Sequence, residues 1–458
     1  MAGQITRLQV SGHRFHVRRM HHALVRADVR MLDDPLRAQS LSLSAGAVVA
    51  VIAVTVCMVL AVLRPAADVG AAPIVLVPET GALYVTVEGT VHPVPNLASA
   101  RLVTGSTDPP KSVSQPAIDR SARGAALGIP GAPVHFGPPL SAQESQWTVC
   151  DDEHGATTVF ADSVADTAVR SGGSVLVAVR GNAALTYLLH GGWRSRVDLR
   201  QPAVVRALKL DGVAPREVSP ALLSAMPEAP PIAPPPIPAA GTAGPSTLGG
   251  LPVGAVFAAS GVDGEHLYVV LSDGVQRIGP VTADLIRYSD ARAENRIPVL
   301  APDVVGTVAV RTTLAVNTFP DQADIASPRV ICVGWRADRA EDASPSAVLL
   351  GEELPASPAA VRLAQADGPG PAVDSVGIPA GRSVYVRSVG IAGGGYSSGA
   401  SFLVADTGVA FGVGADDSAA RLGLIDPPAP APWPVLSTLP RGPELSRSAA
   451  SVAWDGAA

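Results

Sequence analysis

Lysine is nearly absent from this chain, since Lys111 and Lys209 are the only lysines among its 34 basic residues. A phosphate-binding P-loop needs a lysine in the pattern Gly-x-x-x-x-Gly-Lys-[Ser/Thr], where it neutralises phosphates that backbone amides hold. Neither lysine lies in that pattern, and the metalloprotease pattern His-Glu-x-x-His is missing as well. The sequence therefore predicts no catalytic residues, and the balance is against an enzyme.

Aromatic residues are also few, at 4% of the chain, whereas glycine (45) and proline (43) are abundant among the 458 residues. This composition favours short strands and turns over long helices, and it predicts a mostly β, α+β fold. The five histidines after residue 70 are scattered, so their spacing predicts no metal site. The net charge of −6 argues against a nucleic-acid partner.

Charge is missing altogether from one long segment, the 26 residues between Arg37 and Arg64. Its apolar portion, residues 43–63, would form a helix of about 31 Å, long enough to cross a membrane. A cleaved signal peptide is an alternative because Ala66-Ala67 resembles a cleavage site, and a buried core helix is another. The length of the apolar segment and of the basic region before it favours an uncleaved signal anchor.

Arginines are distributed unequally around this segment. Only Arg64 lies within about 20 residues after it, whereas seven arginines precede it: Arg7, Arg14, Arg18, Arg19, Arg26, Arg30 and Arg37. The positive-inside rule therefore predicts that residues 1–42 are cytoplasmic and that the residues after the span lie outside.

Three cysteines are present, and Cys57 lies inside the apolar segment. Cys150 and Cys332 both fall on the predicted external side, so we expect them to form one disulfide. Closing so long a loop could stabilise the fold by roughly 4–5 kcal/mol on the chain-entropy model. Zinc would need more ligands than these two cysteines provide.

The N-terminal arm has apolar residues at helical spacing between residues 11 and 32. Asp34 and Pro35 then suit the N-cap and first position of a second helix, which would continue into the membrane. A basic amphipathic helix beside a bilayer can be a lipid-facing anchor. Docking onto a partner protein is the other interpretation, because the apolar positions cover two stripes.

Four segments share one local pattern: a strand led by an aromatic residue, a glycine-containing turn, a second strand and a short helix. The leading aromatics are Tyr84, Tyr187, Tyr268 and Phe402. Their uneven spacing disfavours a regular solenoid. We therefore expect an internal duplication, with two halves that meet at a central domain containing Cys150 and Cys332.

The Pro-rich stretch between the halves is expected to be a stiff, extended linker. The predicted organisation is a cytoplasmic arm at 1–42, a transmembrane helix at 43–63, a linker at 64–75, repeat 1 at 76–110, the first segment of the central domain at 111–170, repeat 2 at 171–226, the Pro-rich linker at 227–248, repeat 3 at 249–295, the second segment of the central domain at 296–375, repeat 4 at 376–426 and an irregular tail at 427–458.

Several motifs together resemble the EccB family of the type VII (ESX) secretion systems of mycobacteria and related actinobacteria. In the arm these are residues 8–15, Arg18-Arg19, Asp34-Pro35 and Arg37-Ala-Gln39. Further along they are residues 81–85, 96–102 and 127–133, Trp147-Thr-Val-Cys150 and Cys332-Val-Gly-Trp335. The resemblance covers most of the chain up to the fourth repeat, and the Pro-rich stretch is a departure from it.

The resemblance implies one inner-membrane helix and a periplasmic domain of four repeats around a disulfide-linked centre. It also implies assembly with EccC, EccD and EccE subunits and with further copies of the chain in a hexameric complex. Family members carry an ATPase label, so ATP is implied as a cofactor by that label alone, while the residues predict none. The arm residues expected to dock partners are Arg14, Phe15, Arg18, Arg19, Arg30, Asp34, Pro35 and Arg37.

Three functions follow as hypotheses. The first is a structural subunit of the secretion complex that anchors and oligomerises on the periplasmic side. The second is an atypical ATPase of the same system, for which no nucleotide motif is seen. The third is a cell-wall-binding module built from the repeats.

Overall fold

The computed structural model describes residues 6–27, 29, 35–63, 69–162, 169–261, 264–290, 296–337, 345–355, 360–392 and 397–455. It divides into two compact units, Met1–Asp68 and Val69–Ala458. The first unit is helical, and the second is a mixed α+β domain made mostly of β-strands.

Two helices form the described portion of the first unit, α1 (Arg7–Arg26) and α2 (Pro35–Leu63). α1 ends before the predicted residue 32, because Ala27 adopts the left-handed conformation (φ 54°) and its N–H closes the last turn on the carbonyl of Ala23. In α2, the 21 residues Gln39–Val59 are long and apolar enough to cross a membrane. This window overlaps the predicted span, residues 43–63.

The second unit contains short helices and strands, as the abundance of glycine and proline predicts. Its helices are α3 Leu97–Thr104, α4 Gln115–Asp119, α5 Pro202–Ala207, α6 Pro220–Ser224, α7 Pro280–Ser289, α8 Pro302–Gly306, α9 Ser418–Leu422, α10 Trp433–Leu436 and α11 Arg447–Ala450, with a 3-10 turn at Ser246–Leu248. Its strands are β1 Ile74–Val77, β2 Ala82–Val87, β3 Thr90–Val94, β4 Lys111–Ser112, β5 Ala126–Leu127, β6 Trp147–Asp151, β7 Thr157–Phe160, β8 Val169–Ser171, β9 Val175–Val179, β10 Asn182–His190, β11 Trp193–Val197, β12 Arg216–Val218, β13 Glu228–Ile232, β14 Val256–Gly261, β15 Gly264–Leu271, β16 Gly274–Ile278, β17 Val299–Leu300, β18 Val330–Trp335, β19 Ser346–Gly351, β20 Ala360–Arg362, β21 Ser375–Gly377, β22 Ser383–Val389, β23 Ser401–Ala405, β24 Ala410–Gly412, β25 Ala429–Pro432 and β26 Ala453–Trp454.

Four of the sheets have the same strand order. In each, three consecutive strands pair antiparallel, a helix follows (α3, α5, α7 or α9), and a fourth strand returns parallel to the first of the three. We call them the first to fourth sheets. The first, third and fourth have the orders β3-β2-β1-β4, β16-β15-β14-β17 and β24-β23-β22-β25. The second, β12-β9-β10-β11-β13, has the same arrangement and one additional strand, β13, at its edge. Each of the four predicted hairpins supplies the second and third strands of one sheet.

A later segment runs parallel to the third strand of each of these sheets and covers its outer edge. In the second sheet this segment is strand β13. In the others it is a shorter stretch that forms isolated bridges, Arg123 to Val91, Val310 to Val275, and both Arg441 and Leu445 to the edge of β24. Covering an edge in this way satisfies backbone groups that would otherwise be open to another strand.

A seven-stranded central sheet has the order β20-β21-β7-β6-β18-β19-β8. Its strands come from residues 147–171 and 330–377, so both halves of the chain contribute to it. Strands β6 and β18 are antiparallel neighbours, and Cys150 lies directly opposite Cys332.

The helices of the four sheets pack in pairs. Leu102 of α3 and Leu422 of α9 are buried in one apolar cluster, which joins the first sheet to the fourth. Val204 of α5 and Leu285 of α7 are buried in another, which joins the second sheet to the third. The two halves of the chain are therefore held together by helix packing as well as by the central sheet.

The Pro-rich stretch is not simply the extended linker that the sequence predicts. Its beginning, Glu228–Ile232, is strand β13, and Ala229 and Ile232 are only 5% and 1% exposed. β13 lies at the edge of the second sheet, where prolines are tolerated because only one side of the strand needs N–H donors.

The C-terminal tail is not irregular, so that prediction is wrong. Residues 427–458 contain β25, α10, α11 and β26, and Leu445 and Ala450 are fully buried. Pro430 and Pro432 lie in the edge strand β25 and Pro434 lies in the first turn of α10, positions at which a missing N–H costs little.

Candidate functional site

The helix α1 presents an exposed basic surface. Arg14, Phe15, Arg18 and Arg19 all lie on it and are exposed, with Phe15 at 53%. Residues four apart share a helix face, so Arg14 lies beside Arg18 and Phe15 beside Arg19. α1 contains no Asp or Glu. These four residues offer cationic donors around one apolar ring, a surface suited to an acidic partner.

The remaining predicted docking residues belong to a different element or lie outside the described residues. Pro35 begins α2, as its fixed φ favours, and Arg37 lies in the first turn of that helix. Arg30 and Asp34 fall outside the described residues. The described members of the predicted docking set are therefore divided between two helices.

The disulfide lies at the centre of the second unit. Cys150 and Cys332 are bonded, 182 residues apart in sequence, and both are fully buried. Trp147 and Trp335, three residues along the same two strands, also lie opposite each other. The indole N–H of Trp335 donates to the carbonyl of Ile391 at 2.9 Å, which ties the central sheet to the segment that follows β22.

A buried carboxylate lies next to the disulfide. Asp151 accepts hydrogen bonds from the backbone N–H of Ser219 at 2.5 Å and from the hydroxyls of Ser219 and Thr157 at 2.9 Å each. Arg180 lies 3.6 Å away. Burial raises the pKa of Asp151, and these donors and Arg180 oppose that rise. The carboxylate therefore connects β6, β7 and the start of α6.

The three carboxylates of the acidic run 151–154 accept hydrogen bonds from protein groups. The Asp152 carboxylate accepts the backbone N–H groups of His154 and Ala156 at 2.9 Å each. Glu153 forms an ion pair with Arg329. Within the described ranges, no group of three or more His, Cys, Asp or Glu residues could hold a metal ion.

Two further arrangements resemble portions of an active site only superficially. His190 lies 3.1 Å from the hydroxyl of Ser195, but both residues are buried, at 3% and 0% exposure. The pattern Gly395-x-Ser397-x-Gly399 occurs between the antiparallel strands β22 and β23, whereas a nucleophile elbow joins a strand to a helix. The burial of His190 and Ser195 keeps that pair from offering a nucleophile to a substrate.

Sequence reasoning missed Arg216, whose guanidinium donates to the carbonyls of Asp152 and Arg329 at 2.7 Å each, beside the strands that carry the disulfide. It also missed the bond between Asp151 and Ser219, because the two residues lie 68 positions apart in the sequence. The only signal for Asp151 was its place immediately after a predicted disulfide cysteine.

The sequence matches a model of one protein family over residues 2–458, the family described as type VII secretion system ESX-1, transport TM domain B. The chain is 38% identical to the ESX-3 secretion system ATPase EccB3 of Mycolicibacterium smegmatis, over 99% of this chain and 91% of that protein. It is 33% identical to the ESX-1 secretion system ATPase EccB1 of Mycobacterium tuberculosis, over 98% of this chain and 95% of that protein.

Solved structures give the same relationship. A chain of an intact ESX-5 inner membrane complex superposes with a TM-score of 0.71 at 30% identity, covering 100% of this chain and 97% of that one. A chain of the EccB3 dimer from the ESX-3 core complex superposes with a TM-score of 0.69 at 35% identity, covering 83% of this chain and 100% of that one.

These matches extend over both the apolar N-terminal helix and the domain that contains the disulfide. They agree with the resemblance in the arm and in the cysteine motifs. The chain therefore belongs to the EccB family, the membrane components of ESX, or type VII, secretion complexes, and it is a protein of the inner membrane.

Proposed function

We propose that this chain anchors an ESX secretion complex with α1 in the cytoplasm and residues 69–458 in the periplasm. Seven arginines precede the apolar segment and only Arg64 follows it closely, which favours this orientation. The observation that carries the proposal is the buried Cys150–Cys332 disulfide, because such bonds persist in oxidising compartments and are rare in the cytosol.

The orientation can be tested with single cysteines in a Cys57→Ala background, where the two remaining native cysteines are bonded. Gln9→Cys marks α1 and Glu79→Cys marks the exposed turn after β1. A membrane-impermeant maleimide should label Glu79→Cys in cells with a permeabilised outer envelope and an intact inner membrane. Gln9→Cys should react only after that membrane is opened, and the reverse pattern would overturn the proposal.

The arm then serves as the cytoplasmic docking element for EccC-, EccD- and EccE-like subunits. The exposed set of Arg14, Phe15, Arg18 and Arg19 supports this, because arginine and aromatic residues are favoured at protein interfaces. Charge reversal by Arg18→Glu with Arg19→Glu should abolish co-purification of EccC and EccD. Arg200→Glu, at an arginine with a 91% exposed side chain, is the matched control and should leave the complex intact. Intact complex with the doubly reversed arm would contradict docking.

The second unit is proposed to oligomerise and to shape the periplasmic region of the machine. In this proposal the first to fourth sheets are four copies of one repeat, arranged around the central sheet. They follow one another along the chain as the predicted boundaries of repeats 1 to 4 do. Relatives occur as an EccB3 dimer and within an intact ESX-5 inner membrane complex, which supports self-association of this chain. The hexamer that the family resemblance implies is the full assembly that we propose. Mass measurement of the purified full chain in detergent, with and without chemical crosslinking, tests this; a strict monomer in both would count against it.

A further inference from the structure

The two strands that carry the disulfide come from distant regions of the chain. β6 belongs to the first half and β18 to the second, and their register places Cys150 opposite Cys332. Because the strands are antiparallel, the C-terminal end of β6 meets the N-terminal end of β18. Whatever holds these two ends together also holds the two cysteines together.

Arg216 lies at this junction although it belongs to the second sheet. Its Nη2 donates to the carbonyl of Asp152 at 2.7 Å and to the carbonyl of Arg329 at 2.7 Å. Its Nη1 donates to the carbonyl of Pro328. Asp152 directly follows β6, and residues 328–329 directly precede β18. One guanidinium therefore contacts the main chain at the ends of both cysteine-bearing strands.

Neighbouring contacts fix the position of Arg216. Three residues after it, the backbone N–H of Ser219 donates to the buried carboxylate of Asp151. Across the junction, Arg329 donates from Nε to the carboxylate of Glu153 at 2.8 Å. Burial lowers the pKa of Arg216, whereas the negative charges of residues 151–153 favour its charged form. Residues 216–219 are thus attached to this end of the central sheet by the guanidinium of Arg216 and by the N–H and hydroxyl of Ser219.

We propose that Arg216 is a positioning residue that holds Cys150 and Cys332 opposite each other and so keeps the two halves of the chain in register without the disulfide. A planar guanidinium has five N–H donors in a fixed fork, so it can serve three carbonyls on two segments at once. A lysine ammonium on a flexible stem is a point charge without that fork. The proposal does not depend on any role of the chain in secretion.

The test measures how closely the two thiols are held in the reduced protein. The full chain is used in detergent in a Cys57→Ala background, so that Cys150 and Cys332 are its only thiols. The reduced protein is equilibrated with mixtures of reduced and oxidised glutathione. Two cysteine thiols give up their protons and two electrons to form one Sγ–Sγ bond, while one glutathione disulfide is reduced to two glutathione thiols. The oxidised fraction, read by a maleimide gel shift, gives the effective concentration of the thiol pair.

Arg216→Ala and Arg216→Lys should each lower this effective concentration by at least about tenfold, because charge-assisted hydrogen bonds between the two strand ends are lost. The matched control is Arg194→Ala, in strand β11 of the same sheet, whose Nη1 donates to the carbonyl of Leu223 at 2.6 Å. It should leave the effective concentration unchanged. If Arg216→Ala does not fold, Arg216→Lys decides by the same measurement.

Two results would overturn the proposal. One is an unchanged effective concentration in the folded Arg216 variants. The other is an equal fall in Arg194→Ala, since this would show general loosening of the second sheet instead of specific positioning. The melting temperature of each variant separates general loosening from specific positioning. Loss of stability alone would lower the melting temperature without a fall in effective concentration that is confined to the Arg216 variants.

Discussion

Arg101 and Arg421 cap the ends of each other's helices. Arg101 on α3 donates from Nη1 to the carbonyl of Leu422, the last residue of α9, at 3.2 Å. Arg421 on α9 donates from Nη1 to the carbonyl of Leu102, in the last turn of α3, at 3.3 Å. Carbonyls at helix C-termini lack intrahelical donors and attract cations. The exchange therefore bonds the first sheet to the fourth.

Removing either arginine should weaken this junction. Arg101→Ala and Arg421→Ala are each expected to lower the free energy of unfolding by about 1–2 kcal/mol, since each leaves a helix end without its cation. Denaturant unfolding of the full chain in detergent is the measurement. Arg200→Ala, at an arginine with a 91% exposed side chain that pairs with the exposed Asp198, should change stability by less than about 0.5 kcal/mol. An equal loss in Arg200→Ala would contradict the proposed capping.

The hairpins of the four sheets could be predicted because their signals are local. An aromatic-led strand, a glycine turn and a second strand occupy about twelve consecutive residues around Tyr84 and around Tyr268. The first strand of each sheet was missed. β9, with the sequence Val-Leu-Val-Ala-Val, is an unbroken apolar run without alternation, so its periodicity does not identify a strand.

The parallel fourth strands were missed for a related reason. β17 has two residues, and β25 has the sequence Ala-Pro-Ala-Pro, which resembles an irregular tail. Such strands form because the first strand of the same sheet, β14 or β22, supplies their hydrogen bonds. The disulfide was predictable because only two cysteines lie outside the apolar segment. The hydrogen bond from Arg216 to Pro328 joins residues 112 positions apart, and no local sequence pattern predicts it.

Gly137 is required where the chain passes the fourth sheet. It is buried, its carbonyl accepts the hydroxyl of Ser383 at 2.7 Å, and a methyl group there would lie 1.6 Å from the carbonyl oxygen of Gly381. Gly137→Ala should lower the free energy of unfolding by about 3 kcal/mol, because backbone must move to admit it. Gly306→Ala is the control: no neighbouring atom lies within 4 Å of the added methyl, and it should be neutral or stabilising. Equal losses in the two variants, measured by denaturant unfolding, would refute the steric explanation.

His190 should make the second unit sensitive to acid. Burial lowers the pKa of His190 to about 4 from its ordinary value of 6.5. Its contribution to stability is therefore complete above pH 6.5 and is lost as the pH falls towards 4, because the unfolded chain binds the proton first. The loss is roughly 3 kcal/mol between those values.

The variant His190→Gln can retain a hydrogen bond to Ser195 and has no charge to gain. Urea unfolding of both proteins between pH 7 and pH 4 is the comparison. The stability of the wild type relative to His190→Gln should fall steadily over this interval. Parallel pH profiles for the two proteins would show that His190 is not the group responsible.

The name of the relatives includes the word ATPase, and the lysine content of this chain makes a sharp test of that activity possible. Lys111 and Lys209 are its only lysines, and an ATP site of the P-loop type depends on one. We expect the purified full chain to hydrolyse ATP no faster than a preparation of Lys111→Ala with Lys209→Ala. Phosphate release should be measured before and after a second purification step. Hydrolysis that remains with the protein through that step and is lost in the double variant would establish that the chain is an enzyme. It would also show that Lys111 or Lys209 belongs to a phosphate-binding site that is not a P-loop.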